Sequence, residues 1–281
     1  MQTLLSCYNC LLQQAVEALD SSKVSFDIQI RTVKKVLLIL ASADPSLSPP
    51  ELSGRINEVI RDALGNDYLY ADMKRKSHRI AMEYLEDLKK ISHQSEDPIE
   101  QGLKISAAGN LVDVIHANEY HLWEEVETAL QQELLGGGLE AFRNRLCEAP
   151  YLLYLADNVG ETVFDRVFIE MLDLPVIYAV KGGPILNDAT LEDARKAGID
   201  QFAELVETGS RSPGTVLGQC TEEFQDLFLK SDLILAKGQA NFETLEGQYE
   251  NVFFLFRVKC PLLGKEIDAP TGSLILAQAA P

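Results

Sequence analysis

The sequence predicts an α/β protein in two parts, and three observations support this class. Residues 1 to about 140 carry apolar residues at helical spacing. Beyond them, short apolar runs alternate with amphipathic stretches, which is the rhythm of βαβ units. Three glycines at positions 136–138 mark the change. We therefore predict a helical domain over residues 1–138, followed over residues 139–281 by a three-layer αβα domain with a mostly parallel, Rossmann-like sheet.

Helices are predicted along the whole first part. Apolar stripes at helical spacing cover residues 7–19, 26–41, 70–91, 103–116 and 122–135. A short helix is also predicted at residues 139–146, at the start of the second part. One more helix is predicted to begin at Ser48, because the next residues are Pro49, Pro50 and Glu51, and proline is favoured in a first helical turn. It continues to Leu64.

Four apolar runs in the second part predict parallel strands, at residues 151–156, 176–180, 233–236 and 252–258. They do not alternate with polar residues, which is the pattern of strands buried on both faces of a sheet. Connecting helices are predicted at residues 162–172, 191–197, 222–229 and 242–246. The apolar tail after Asp268 is interpreted either as an edge strand or as a packed terminus.

Charge and composition argue against several classes of partner. A formal net charge of −18 is unsuited to a duplex nucleic acid or an anionic membrane, since both attract basic surfaces. No apolar run approaches the roughly 20 residues that span a bilayer. Without a signal-peptide pattern, a cytoplasmic protein is expected. Five cysteines in a chain of this length do not suggest a disulfide framework.

The first candidate site lies within residues 151–171. An apolar run ends at Asp157 and Asn158, the chain turns at Gly160, and apolar residues then recur every four positions from Val163. Two oxygen-bearing side chains therefore stand where a strand passes into a helix, and open α/β sheets bind ligands at that edge. Taken alone, these residues fit equally well a helix cap, which Asp and Asn commonly form.

The later strands end in residues of the same kind. The second predicted strand leads to Asp188, the third to Lys237 and the fourth to Lys259. Thr190 can form a capping box with Asp193, so Asp188 is not needed to cap that helix. Because parallel strands place their carboxyl ends at one edge, we expect these side chains to share a crevice with Asp157 and Asn158.

This set of residues has the chemistry of phosphoryl transfer or hydrolysis. The oxygens of Asp157, Asn158 and Asp188 suit a hard divalent cation such as Mg²⁺ or Mn²⁺, with positions left for water and substrate. Lys237 and Lys259 would supply positive charge to phosphate oxygens. Positioning and charge neutralisation carry most of the catalysis of phosphoryl transfer. We therefore predict a locally electropositive pocket on an acidic protein.

Three longer segments resemble a known family. DNVGETVFDR, KGGPILNDATLEDA and SDLILAKGQANFE, which begin at residues 157, 181 and 231, are similar to the signature segments of the metal-dependent damage-control phosphatases, long called domain of unknown function eighty-nine. The resemblance extends into the first part at Ala108, Gly109, Asn110 and Asp113. A CxxC motif at Cys7 and Cys10 resembles the prokaryotic branch of that family.

The resemblance implies an activity and a set of site residues. Members of the family hydrolyse small phosphorylated metabolites, such as sugar phosphates or phosphopantetheine-like compounds, with Mn²⁺, Ni²⁺, Co²⁺ or Mg²⁺. It implies that a divalent metal and the catalytic centre are held by Asp157, Asn158 and Asp188. It implies substrate contacts by Asp157, Asn158, Lys237, Gly238, Gln239, Ala240, Asn241 and Lys259.

Two routes for the hydrolysis are open at this stage. A water activated by the metal could attack the phosphate, or Asp157 could itself form an aspartyl-phosphate. Phosphatases of the haloacid-dehalogenase type pair such an aspartate with an acid two residues on, where this chain has Val159, so the water route is favoured. Glu161 could orient that water or only complement the helix dipole.

Two other functions compete with the phosphatase. One is carboxyl methyl transfer from S-adenosylmethionine, an activity also proposed within the family, and the other is non-catalytic binding of a metal or metabolite. Methyltransferases usually carry a multi-glycine loop after the first strand, whereas the loop after Ala156 offers only Gly160. A metal requirement without binding of the methyl donor would separate the two enzyme classes.

Overall fold

The computed structural model describes residues 1–65, 69–114 and 121–279, without the side chains of residues 113 and 114. Within these ranges the chain forms twelve α-helices. They are α1 Leu5–Asp20, α2 Phe26–Ala41, α3 Pro49–Leu64, α4 Ala71–Gln94, α5 Pro98–Ala108, α6 Leu122–Leu130, α7 Leu139–Glu148, α8 Glu161–Ile169, α9 Leu191–Ala197, α10 Glu222–Lys230, α11 Gln239–Leu245 and α12 Pro261–Glu266. A 3-10 helix, Gly109–Val114, extends α5.

In the described part of the chain, seven strands form one sheet in the order β1-β7-β6-β5-β2-β3-β4. They are β1 Leu134–Leu135, β2 Leu152–Leu155, β3 Val176–Val180, β4 Glu204–Glu207, β5 Ile234–Lys237, β6 Val252–Arg257 and β7 Leu274–Gln278. All neighbouring strands are parallel except β6 and β7, which are antiparallel. The predicted fold class, an α/β protein with a mostly parallel sheet, is confirmed.

Successive residues of the central strands enter different hydrophobic cores, which makes the sheet the middle of three layers. Leu152 and Tyr154 of β2 face a cluster with helices α4 to α9. Leu153 and Leu155 face the opposite cluster, with α10, α11 and α12. Burial on both faces explains why these strands lack polar alternation.

Helices α1, α2 and α3 form a separate small core, and α3 packs against α11. Helices α4, α5 and α6 instead share the large cluster that covers one face of the sheet. The domain boundary predicted at residue 138 stays a prediction, and the helical part is joined to the sheet by this shared core. No helix in the described ranges is long and apolar enough to cross a membrane.

Three strands differ from the expectations. Strands β1 and β4 were not predicted, because β1 has two residues and the edge strand β4 exposes Glu204 and Glu207. The C-terminal tail is neither an edge strand nor a simple packed terminus, since β7 lies inside the sheet between β1 and β6. Of the helix predicted over residues 103–116, the described residues 103–114 do not form one helix, because α5 gives way to the 3-10 helix after Ala108, and residues 115 and 116 lie outside the described residues.

The predicted start of α3 at Ser48 is confirmed and gives a test of helix capping. The Glu51 carboxylate accepts a hydrogen bond from the Ser48 N–H at 2.8 Å, and the Ser48 Oγ accepts one from the Glu51 N–H at 3.4 Å. We expect Ser48→Ala to lower the free energy of unfolding by about 1 kcal/mol. The measurement is the urea midpoint.

The matched control is Ser25→Ala, because Ser25 occupies the same N-cap position of α2 but makes no side-chain cap hydrogen bond. Equal losses in the two variants would contradict the capping argument.

Candidate metal and phosphate site

The ends of β2 and β3 bring Asp157, Asn158 and Asp188 together. Beyond the strands, the backbones pair again: the Ala189 N–H donates to the Asp157 carbonyl at 2.8 Å, and the Val159 N–H donates to the Asn187 carbonyl at 2.9 Å. The residues Asp157, Asn158 and Asp188 are 7, 6 and 3% exposed. The convergence expected from the carboxyl-edge rule is therefore present in the structure.

The amide of Asn158 has a fixed orientation. Its Nδ2 donates to Asp157 Oδ2 at 2.9 Å and to Glu161 Oε1 at 2.8 Å. The pKa of Glu161 is lowered, so its ionised carboxylate can only accept hydrogen bonds and the amide nitrogen must face it. The amide oxygen of Asn158 therefore points away from both and is available as a ligand.

Glu161, in the first turn of α8, belongs to this site. It is 1% exposed and accepts hydrogen bonds from Asn110 Nδ2 at 2.7 Å and Lys237 Nζ at 2.8 Å, besides the one from Asn158. Burial alone would raise the pKa of Glu161, but the positive charges of Lys237 and Lys259 lower it overall. A role limited to the helix dipole does not account for these contacts.

The two aspartates are held in surroundings that disfavour their ionised forms. Burial, followed by the negative charges of Glu161 and Asp188, raises the pKa of Asp157 well above its ordinary value. Burial also raises the pKa of Asp188, while the nearby Lys181 ammonium opposes the shift. A cation bound between the two carboxylates would relieve both effects.

The charges and oxygens present fit a divalent cation. The site buries four carboxylates, Asp157, Glu161, Asp165 and Asp188, and two ammonium groups, Lys181 and Lys237. Carboxylates therefore outnumber ammonium groups among these buried residues, and a bound divalent cation would offset the excess of negative charge when they are ionised.

One carboxylate oxygen of the site accepts no hydrogen bond from the described residues. Asp188 Oδ2 lies 3.5 Å from Lys181 Nζ, yet it has no hydrogen-bond partner in the part of the chain that the structure describes. Among the described residues, no group of three His, Cys, Asp or Glu side chains is placed to hold a metal ion. A metal bound here would therefore need the Asn158 amide oxygen as its third ligand.

Two lysines other than Lys237 act on the site. Lys181 is buried, donates to the Gly214 carbonyl and stands beside Asp188. Lys259 is exposed. Its positive charge opposes the rise in the pKa of Asp157 and contributes to the lowered pKa of Glu161. Lys181 was missed as a site residue, although it follows β3 directly and opens one of the signature segments.

The segment predicted to bind substrate, residues 237–241, forms one wall of the site. Gly238 has φ +82°, and a Cβ atom there would lie 2.0 Å from Asp157 Oδ2. The Gln239 Oε1 accepts the backbone N–H of Lys259 at 3.3 Å, which ties that lysine to α11.

Two side chains of this wall are directed inward. Asn241 is fully buried, donates to the Lys237 carbonyl at 2.7 Å and accepts from the Thr215 hydroxyl at 2.7 Å. The Lys237 ammonium is also fully buried and has three acceptors. Substrate contacts by the side chains of the 237–241 segment and by Lys259 stay predictions.

The helical part contributes Ser106 and Asn110 to the site. Asn110 is 3% exposed, and its Oδ1 has no hydrogen-bond partner within the described residues. Ser106 donates to Asp165 Oδ1 at 2.7 Å. Asp165 was also missed, although it lies four residues after Glu161 and therefore on the same face of α8. The side chain of Asp113 lies outside the described part.

The fold is that of an α/β protein whose mostly parallel sheet carries a group of buried oxygen-bearing side chains at its carboxyl edge, with a helical layer over one face. Residues 3–275 match the model of the damage-control phosphatase ARMT1-like domain. The chain belongs to this family, as its three signature segments predicted. Its place in the branch marked by the N-terminal CxxC stays a prediction.

Curated relatives and a solved structure match over nearly the whole chain. The damage-control phosphatase PH1575 of Pyrococcus horikoshii is 32% identical, covering 98% of this chain and 97% of the relative. A damage-control phosphatase of Archaeoglobus fulgidus is 29% identical, covering 96% of each chain. The crystal structure of the Pyrococcus horikoshii protein, described as a family member of domain of unknown function eighty-nine, superposes with a TM-score of 0.90 at 31% identity and covers 100% of both chains.

Proposed function

We propose that this protein is a metal-dependent phosphatase that hydrolyses small phosphorylated metabolites in metabolite damage control. The observation that carries the proposal is the meeting of three buried oxygen-bearing side chains, Asp157, Asn158 and Asp188, at the carboxyl edge of the sheet. Family membership supports it, and so do the two relatives named as damage-control phosphatases. Sugar phosphates and phosphopantetheine-like compounds are the proposed substrate classes.

Asp157, Asn158 and Asp188 would hold the cation, with Mn²⁺, Ni²⁺, Co²⁺ or Mg²⁺ as candidates. When bound, such an ion supplies Lewis acidity to a phosphate oxygen and lowers the pKa of a water molecule. The protein fixes the ligands in advance: the backbone pairing beyond β2 and β3 holds the two aspartates, and Glu161 orients the Asn158 amide. Such preorganisation avoids the cost of rearrangement during the reaction.

The remaining groups have separate tasks. Lys259, on the exposed rim, would neutralise charge on the phosphate of an incoming metabolite. Lys181 is anchored to the Gly214 carbonyl and keeps positive charge beside Asp188. A covalent route through Asp157 is disfavoured, because the residue two positions on is the buried, apolar Val159, which cannot donate a proton to a leaving group.

The test is phosphate release from a panel of sugar phosphates and phosphopantetheine compounds by metal-stripped protein, with each of the four metals restored singly. We expect background rates without metal and turnover of at least one ester class with it. Metal binding without turnover of any ester would overturn the phosphatase while leaving the metal site. Binding of S-adenosylmethionine would then decide for the methyltransferase.

A further inference from the structure

A buried ion pair lies behind the candidate metal site. Asp165 of α8 and Lys237 at the end of β5 are both fully buried, and Lys237 Nζ donates to Asp165 Oδ1 at 2.7 Å. Asp165 accepts three more hydrogen bonds, from Ser106 Oγ at 2.7 Å, Tyr154 OH at 2.7 Å and Tyr178 OH at 2.8 Å. Four elements of the fold thus donate to a single carboxylate.

The Lys237 ammonium has no donor left for a ligand. Its three acceptors are Asp165 Oδ1, Glu161 Oε2 at 2.8 Å and the Ser106 carbonyl at 3.0 Å. An ammonium group carries three N–H donors, so these contacts saturate it. A direct contact with a phosphate oxygen would require one of these buried bonds to break.

A continuous series of contacts runs from this pair to the proposed metal ligands. Lys237 bonds Glu161 Oε2, and Glu161 Oε1 accepts the Asn158 amide, which also bonds Asp157. Glu161 and Asp165 are four residues apart on α8, so one helix face presents both carboxylates to the same ammonium. The orientation of the Asn158 amide therefore depends on where Lys237 holds Glu161.

We propose that Asp165 and Lys237 are positioning residues that fix Glu161 and, through it, present the Asn158 amide oxygen to the metal. This inference rests on the proposed function, and it assigns Lys237 a role other than contact with the substrate. Stability alone is a poor reason for such a pair, since apolar replacements of buried ion pairs are often neutral or stabilising. Partners behind the ligands of a metal site commonly affect affinity or rate by 10- to 100-fold.

The test uses Lys237→Met, Asp165→Asn and the double variant, with the binding of Mn²⁺ alone and the turnover of p-nitrophenyl phosphate as separate readouts. We expect Lys237→Met to weaken Mn²⁺ binding and lower kcat by about 10- to 100-fold each, with little change in KM at saturating metal. Because Asp165 acts through Lys237, its substitution is expected to cause no further loss in the Lys237→Met background.

Two results would overturn the proposal. A raised KM with unchanged Mn²⁺ affinity would identify Lys237 as a substrate contact. Losses that multiply in the double variant would show that Asp165 does not act through Lys237. Should wild type bind Mn²⁺ but release no phosphate from any ester, the proposed function fails, and the Mn²⁺ affinities still decide the positioning role.

Milder variants keep the test valid if the ion-pair variants do not fold. Tyr154→Phe and Tyr178→Phe each remove one donor to Asp165 and leave Lys237 in place, and we expect several-fold weaker Mn²⁺ binding. The matched control is Tyr151→Phe, which removes a hydroxyl that faces Ser231 at 3.1 Å, and it should bind Mn²⁺ as wild type does. Wild-type affinity in all three tyrosine variants would contradict the proposal.

Discussion

Asp188→Asn is expected to abolish Mn²⁺ binding and phosphate release together, without destabilising the metal-free protein. The change keeps the size of the side chain and removes one of the two carboxylates proposed as metal ligands. We expect the Mn²⁺ affinity and the rate of phosphate release to fall by more than roughly 100-fold, which is the upper range for loss of a residue that supports a metal ligand without itself binding the metal. Burial disfavours the ionised form of Asp188, whereas the buried Lys181 at 3.5 Å favours it, so the neutral amide loses one unfavourable and one favourable interaction and little net change in stability is expected.

The measurements are Mn²⁺ titration, phosphate release and thermal unfolding of the metal-free protein. The control is Asp200→Asn, which makes the same chemical change at an exposed position. Wild-type Mn²⁺ affinity in Asp188→Asn would remove this residue from the proposed ligands. A lower melting temperature in the metal-free state would contradict the charge argument but not the ligand assignment.

Gly238→Ala is expected to displace Asp157 and to lower kcat/KM by about 100-fold or more, since a shift of 1 Å at a reacting centre can cost that much. The new Cβ would lie 2.0 Å from Asp157 Oδ2 and 2.2 Å from Asp157 Cγ, so the carboxylate has to move. The backbone at Gly238, with φ +82° and ψ 158°, lies in a region that essentially only glycine adopts, so any residue with a Cβ adds strain of about 1–3 kcal/mol.

The control for this strain is Gly247→Ala. Gly247 has φ +73°, but a Cβ there meets nothing within 4 Å. We expect both alanine variants to lose stability in urea, while only Gly238→Ala loses activity and metal affinity. Full activity in Gly238→Ala would show that this glycine does not set the position of Asp157.

The sequence is sufficient to predict the edge of the sheet where the site lies. Asp157, Asn158 and Asp188 follow strands whose apolar runs are easily recognised, and parallel strands necessarily align their carboxyl ends. Strand β7 was not placed correctly, because its antiparallel neighbour β6 and the short β1 become partners only through tertiary packing. Local pattern holds no information on such pairings.

The orientation of Lys237 could not be predicted for a related reason. A lysine directly after a strand can point to solvent or inward, and the choice depends on acceptors elsewhere in the chain. Two of these acceptors are Glu161 and Asp165 on α8, and the third is the Ser106 carbonyl, 131 positions away in sequence. Sequence spacing shows that Glu161 and Asp165 share a helix face, but not that Lys237 lies between them and α5.

The contacts that Ser106 and Asn110 make with the α/β half limit how the chain can be divided or recombined. The α/β half carries the three proposed metal ligands. However, its buried Lys237 donates a hydrogen bond to the Ser106 carbonyl of α5, and Glu161 accepts one from Asn110 of the 3-10 helix after α5. Strand β7 likewise takes a neighbour, β1, from the first half. The α/β half is therefore not a portable catalytic module. Gene fusion or recombination between relatives would have to transfer both halves as one unit to preserve the site.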